Sequence, residues 1–220
     1  MIWRGGANEE RLYLNDMNFT FSGEDVQISR TNMPEMADLI ARHRARYHLP
    51  AMFMRPGMKV LDFPCGSGYA ADIFKPFGVK YRGMDIDPVT IEYCRRNNHD
   101  PLDRMFSVAD LEDAYLGDQQ YDVIACIEGL EHIAGAQQFK LITEFLTALK
   151  DGGTLVISTP LTESGGPSDT NEYHLFELTE SRFRQLLGFW FNGYQILKVK
   201  DVNHRGDETT FMYGICRKEG

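Results

Sequence analysis

A doubly wound α/β fold is what this sequence predicts, and three observations predict it. From about Met58 to Thr159, short apolar runs alternate with helical patterns, as parallel strands joined by covering helices do. The first of these runs gives out into a glycine-rich loop, Cys65-Gly66-Ser67-Gly68, that opens a helix. Near the end the alternation breaks: two β-rich runs, YQILKVKDV and TTFMYGICR, are separated only by the turn-rich NHRGDE. With no helix between them they should form an antiparallel hairpin at one side of the sheet.

Taken in order, the first 30 or so residues are polar and aromatic by turns, with GGANEE and SGED as loop signals, and read as an arm or lid over 1–32. Residues 33–220 read as one domain. Pro34 to Tyr47 has Pro at a first helical position and Met36, Leu39, Ile40 and Tyr47 near one face, which predicts a helix beside the sheet. The strand candidates are KVLDF, VKYRGMD, RMFSVAD, YDVIACI and GTLVIST; the helix candidates between them are YAADIFKPF, PVTIEYCRRN and GAQQFKLITEFLTALKDGG. Lys150-Asp151-Gly152-Gly153 reads as a helix stop, a cation followed by glycines able to take positive φ. TESRFRQLL is a further short helix.

A chain of 220 residues can build one sizeable core. With 23 basic against 32 acidic residues the net charge is -9, which disfavours nucleic acid and anionic lipid as partners. Cys65, Cys94, Cys126 and Cys216 are scattered without a C-x-x-C pair, and MIWRGGANEE lacks the marks of a secretory leader, so a reduced, cytoplasmic protein is expected. No apolar run approaches the roughly 20 residues of a membrane span.

The glycine loop allows close backbone approach to a ligand, with helix-terminal N–H groups available for polar oxygens. By itself it also fits G-x-G-x-x-A, with Asp85 about 20 residues on, so a NAD-dependent oxidoreductase and a non-catalytic nucleotide-binding subunit are alternatives. Three features favour another nucleotide. Asp62, at the strand end, would welcome a cationic ligand group and repel a pyrophosphate. Asp110, after the third run, is in reach of an adenine amino group. The terminal hairpin is foreign to a doubled βαβαβ unit.

From about Met33 onward the chain resembles the class I S-adenosylmethionine-dependent methyltransferases. Their D-x-G-x-G-x-G motif appears as Asp62-Phe63-Pro64-Cys65-Gly66-Ser67-Gly68, with Pro64 in place of the first glycine. The resemblance implies a Rossmann-like sheet of order 3-2-1-4-5-7-6 with the last strand antiparallel, and S-adenosylmethionine as cofactor. It places Asp62, Pro64, Gly66, Gly68 and Ile127 around the cofactor, Gly66 and Gly68 lining its methionine part. It gives Asp85 the ribose diol, Ile86 or Asp87 the flank of the adenine, and Asp110 with Leu111 the adenine edge.

The stretch CIEGLEHI follows the fourth run. If a helical turn begins there, Glu128 shares a face with Glu131 and His132. Such carboxylate and imidazole donors suit Mg²⁺, Mn²⁺ or Fe²⁺, and His174 in NEYHLFELTESRF would add a fourth ligand. E-x-x-E-H with a downstream His resembles metal-dependent terminal 2′-O-methyltransferases of small RNAs, and E-x-x-E-H also resembles ubiquinone-pathway O-methyltransferases. The implied ligands are Glu128, Glu131, His132 and His174, and the shared acceptor is a vicinal diol. Without metal, His132 or His174 would act as general base, with Glu128 a further catalytic candidate. The expected reaction is O-methylation of a small hydroxylated metabolite such as a sugar, nucleotide-sugar or catechol-like compound, with an RNA terminus as the alternative acceptor. Arg42, Arg44 and Arg46 are expected on a solvated face, and Tyr13, Phe19 and Phe21 as a possible aromatic lid or a hydrophobic docking segment.

Overall fold

Successive residues of the central strands are buried on opposite sides, because the sheet is covered on both faces. Val60, Val123 and Val156 pack in one layer with Tyr47, Ala51 and Phe74, while Leu61, Ile124 and Leu155 pack in the other with Leu141, Ile142, Phe145, Phe183 and Leu187. Each fully buried aliphatic side chain contributes about 1.5–3 kcal/mol, so the strands most apolar on both faces lie at the centre. The computed structural model describes residues 18–22, 25–29, 34–98, 104–203 and 205–220, with side chains from Asp38 onward within those spans.

The strands are β3 (Lys59–Asp62), β4 (Lys80–Asp85), β5 (Phe106–Val108), β6 (Tyr121–Cys126), β7 (Leu149–Pro160), β8 (Gly193–Val202) and β9 (Glu208–Arg217), ordered β5-β4-β3-β6-β7-β9-β8. That is the expected 3-2-1-4-5-7-6. The last strand, β9, pairs antiparallel with both β7 and β8, and the neighbours from β5 through β7 are parallel. Ahead of this sheet, β1 (Asn18–Ser22) and β2 (Asp25–Ser29) form a two-stranded antiparallel hairpin. The expectation for Tyr13 lies outside the described residues, as do the side chains of Phe19 and Phe21.

Helices α1 (Pro34–Arg46), α2 (His48–Ala51), α3 (Ala70–Phe74), α4 (Pro88–Asn97), α5 (Gly135–Ala148) and α6 (Glu180–Trp190) complete the layers. α4 begins at Asp87, whose carboxylate accepts from Val89 N at 3.0 Å and Thr90 Oγ1 at 2.6 Å, ahead of Pro88 in the first turn. Thr179 caps α6 in the same way, accepting from Arg182 N at 3.2 Å. Among the described residues no helix is long and apolar enough to cross a membrane.

The helix expected over YAADIFKPF runs as five residues of α3 followed by a 3₁₀ turn at Lys75–Phe77 and Gly78 at φ 66°. One expectation changes. Lys150 to Gly153 do not stop a helix. α5 ends at Ala148, and these residues lie inside β7, where pairing jumps from Tyr121↔Leu149 to Val123↔Thr154. The four residues between are a bulge, with Gly152 at φ 75° and Lys150 Nζ 2.7 Å from Asp122 Oδ2. Burial of Leu149 against the core decides the matter: strand pairing from Leu149 onward seats it fully.

Candidate active site

Strand order reverses at β3, whose neighbours β4 and β6 lead to opposite sides of the sheet. A crevice at such a reversal, outside the carboxyl ends of the strands, is where open α/β sheets bind ligands. Its two walls here are the loop after β3 and the loop after β6, packed so closely that a Cβ on Gly129 would strike the Pro64 ring. Pro64 therefore serves as a packing surface between the two loops, and the Phe63–Pro64 peptide is cis.

On the β3 side, Asp62 is fully buried. Its Oδ2 accepts from Tyr81 Oη at 2.7 Å. Oδ1 is buried without a hydrogen bond among the described residues. Burial pushes this carboxyl up to about 8, against the Tyr81 and Tyr47 hydroxyls that favour its ionised form, with Asp85 adding repulsion. Gly66 and Gly68 both have positive φ, 50° and 74°, but for different reasons. A Cβ on Gly66 would meet nothing within 4 Å, so the loop is open above it. One on Gly68 would lie 2.9 Å from both Cys94 Sγ and the Phe106 ring.

Asp85, at the end of β4, is tied to the loop: Oδ2 accepts from Gly66 N at 3.0 Å and Oδ1 from Asp87 N at 3.1 Å. Asp87 is the α4 cap and is spent on that helix. Beside Asp85, Ile86 is 43% exposed, and Val108, its neighbour at the end of β5, is 51% exposed. Two exposed aliphatic side chains on adjacent strand ends suit a flat ring. Val108, paired with Asp85, was not singled out in the sequence, because its run RMFSVAD carries no sign of which residue stays exposed. Asp110 turns one oxygen back to its own loop, Oδ1 accepting from Glu112 N at 2.9 Å, and Leu111 packs against the core edge. Ile127 is buried in the layer below the crevice.

On the β6 side, a carboxylate oxygen of Glu131 and one ring nitrogen each of His132 and His174 lie within 4.8 Å of one another. The imidazoles stand edge to face, 5.1 Å between centroids. A 3₁₀ turn at Leu130–His132 carries Glu131 and His132, and the segment after β7 brings His174 across from far away in sequence. His132 Nδ1 is 3.1 Å from Tyr173 O, and His174 Nδ1 is 2.7 Å from Glu177 Oε1. Both partners are acceptors, so each Nδ1 donates and each ring is held in orientation by that bond.

Glu128 does not join this cluster. It precedes the 3₁₀ turn rather than belonging to it, and its φ of 54° turns it away from the shared face that a regular helix would give. Its Oε1 is 2.5 Å from Ser158 Oγ, its N–H donates to the same hydroxyl at 3.1 Å, and its Oε2 faces Arg46 at 3.8 Å. Burial, and then Glu131, raise its carboxyl to about 8 in spite of Arg46 and Ser158.

Arg46 overturns the expectation of a solvated basic face. Arg42 and Arg46, four apart on α1, both reach Asp201 Oδ2 on β8, at 3.0 and 3.1 Å, and Arg46 lies 4.4 Å over the Phe211 ring. His43 between them is held down to about 3 by burial and by the two guanidiniums. The i, i+4 spacing was the available signal; the partner, 155 residues away, was not.

A family model described as a methyltransferase domain matches residues 30–196. A probable S-adenosylmethionine-dependent methyltransferase of Mycolicibacterium smegmatis is 31% identical over 134 residues, 60% of this chain and 50% of that protein. A ubiquinone biosynthesis O-methyltransferase of Xanthomonas campestris is 30% identical over 116 residues, 51% of this chain and 47% of that protein. The chain spans about half the length of these curated relatives. Among solved structures, an S-adenosylmethionine-dependent methyltransferase from Archaeoglobus fulgidus superimposes with a TM-score of 0.65 at 16% identity, covering 82% of this chain and 94% of its own. At that identity the likeness shows the fold.

Proposed function

The chain belongs to the methyltransferase-domain family, and from that premise we propose that it transfers a methyl group from S-adenosylmethionine to a hydroxyl oxygen of a small hydroxylated metabolite. The observation that carries the choice of oxygen is the Glu131–His132–His174 cluster, whose first two members follow β6 in the loop that packs against Pro64 of the glycine-rich loop. An aliphatic hydroxyl is a poor nucleophile near neutral pH, and a group that takes its proton or lowers its pKa is what such a transfer requires.

The residues present fit the cofactor. Space above Gly66 would receive its methionine part, the charge of the buried Asp62 carboxylate would favour the ammonium through the loop, Asp85 would accept from the ribose hydroxyls, and Ile86 with Val108 would flank the adenine. When bound, the cofactor supplies a sulfonium methyl open to in-line attack. On the other wall Tyr173 and Glu177 accept from His132 and His174 and fix the orientation of both rings, which could then take a proton from the acceptor hydroxyl. The same set, two imidazoles and a carboxylate, suits a divalent cation such as Mg²⁺ or Mn²⁺, which when bound would acidify and orient a vicinal diol. A polymeric polyanion such as RNA fits less well, because the acidic chain places Glu128 and Glu131 at this wall.

Calorimetric titration of S-adenosylhomocysteine into EDTA-treated protein tests the cofactor assignment. Saturable one-to-one binding, not displaced by NAD, is expected. Turnover of the labelled cofactor against a panel of catechols, sugars and nucleosides then tests the acceptor, and labelling confined to amines or to RNA ends would replace the hydroxylated metabolite.

A further inference from the structure

α5 buries Gln138, Leu141, Ile142, Phe145 and Ala148, at the spacing of one helix face. All but the first are the apolar residues such a stripe calls for. Gln138 is an amide, 1% exposed, and a buried amide is stable only where its N–H groups find acceptors. Both do. Gln138 Nε2 donates to Leu130 O at 2.9 Å and to Phe176 O at 2.9 Å, and because both partners are carbonyls, the amino group and not the amide oxygen must face them.

Those carbonyls belong to the two segments that carry the cluster. Leu130 opens the 3₁₀ turn of Glu131 and His132, and Phe176 follows His174 closely. Residues 161–179 join β7 to α6 with isolated bridges in place of a helix or strand, so no regular element fixes where His174 stands. Phe176 N donates to Glu131 O at 3.1 Å and His132 Nδ1 to Tyr173 O at 3.1 Å, which hold the turn and the segment to each other. Gln138 ties both to α5, whose Leu141, Ile142 and Phe145 are anchored in the core.

We propose that Gln138 is a positioning residue that sets His132 and His174 in register. Its part in the reaction rests on the methyltransferase reading, but the registration is a property of the folded chain alone. The imidazoles meet at 5.1 Å between centroids, and misplacing a reacting group by about 1 Å can cost on the order of 100-fold in rate. An apolar side chain at this position would suit the stripe yet leave Phe176 O without this donor, whereas Leu130 O would keep Ile133 N at 3.3 Å. The displacement therefore falls chiefly on the His174 side.

Imidazole NMR signals of isotope-labelled full-length protein, with neither metal nor cofactor added, are the readout. Gln138→Met keeps the reach of the side chain and removes both donors, and Ile142→Val on the same buried stripe serves as the stability comparator. Gln138→Met should move the His174 signal most, then that of His132, and leave that of His48 on α2, across the sheet, in place; Ile142→Val should move none. With an acceptor identified from the panel above, kcat of Gln138→Met should fall by about 10- to 100-fold while S-adenosylhomocysteine affinity stays within about 2-fold. Unmoved His132 and His174 signals in Gln138→Met would overturn the proposal, as would equal movement in Ile142→Val. Should Gln138→Met not fold, Gln138→Asn, whose stem is one carbon shorter, is held to the same comparison. An unaltered protein that fails to bind S-adenosylhomocysteine, with the imidazole shifts as expected, would sink the methyltransferase reading and leave the registration standing.

Discussion

The two halves of the crevice are built in different ways. The wall after β3 is assembled from neighbours in sequence: Gly66 to Asp85 and Asp62 to Tyr81 are both contacts across 19 residues. The wall after β6 is assembled from a distance, with Glu128 to Ser158 spanning 30 residues, Arg46 to Asp201 spanning 155 and Arg42 to Asp201 spanning 159. One strand-loop-helix-strand unit suffices to make the first wall, so it can be carried as a motif. The second wall exists only when α1, β6, β7 and β8 are all in place, and its partners are free to differ from one chain to another while the fold is kept.

The sharpest way to break the comparison is within the motif itself. Gly68→Ala puts a Cβ 2.9 Å from Cys94 Sγ and from the fully buried Phe106 ring, at φ 74°, so the fold should lose about 2–4 kcal/mol. Gly66→Ala meets nothing within 4 Å and carries only the left-handed backbone cost of about 1–2 kcal/mol, but its methyl fills the cradle. Urea unfolding and calorimetry on both variants should show the larger stability loss in the first and, in the second, lost S-adenosylhomocysteine binding by a protein still folded. Equal stability losses, or full binding by Gly66→Ala, would remove the distinction between a packing glycine and a ligand glycine.

Next in size, Asp85→Ala should weaken S-adenosylhomocysteine by about 1–3 kcal/mol, the scale of hydrogen bonds to a charged group. Asp85 also accepts from Gly66 N, so part of the loss belongs to the loop and part to the ribose. Titration with a 2′-deoxy analogue divides them: the unaltered protein should bind it more weakly than the parent ligand, and Asp85→Ala should no longer distinguish the two. Unchanged affinity in Asp85→Ala would take the ribose away from this residue.

The same contrast explains how far the sequence could be read. The strand and helix succession, the terminal hairpin and the order of Asp62, Gly66, Gly68 and Asp85 were legible because period, glycine placement and strand-end acids are local signals, whereas the strand order came from the resemblance to a known family. In the second wall, local spacing put Glu128, Glu131, His132 and His174 in one group; the structure brings the last three within 4.8 Å of one another and leaves Glu128 out, because E-x-x-E-H is not one helical face. The backbone takes positive φ at Glu128 and begins its 3₁₀ turn two residues later. Arg46 was read as solvated because nothing near it in sequence calls for a cation; Asp201 does, and tertiary contact alone reveals it. Lys150 to Gly153 show the same limit in the fold, where a glycine pair has the same appearance after a helix as inside a strand bulge.

The last effect expected is a slope rather than a loss, and it treats the two walls alike. Asp62 and Glu128 are both raised to about 8 from ordinary carboxylate values, chiefly by burial. The folded, ligand-free protein therefore binds more protons than the unfolded chain between about pH 4 and pH 8, and the stability due to these groups falls as pH rises through that window. Each group can contribute at most about 1.4 kcal/mol per pH unit. Asp62→Asn and Glu128→Gln should each flatten the fall, read as the urea midpoint against pH. Bound S-adenosylhomocysteine should separate them: its ammonium stabilises ionised Asp62, so saturation should flatten the profile of Glu128→Gln further and leave that of Asp62→Asn nearly as it was. A ligand effect of equal size in both variants would mean that the ammonium does not sit on Asp62, and the charge logic of the first wall would have to be sought in Asp85.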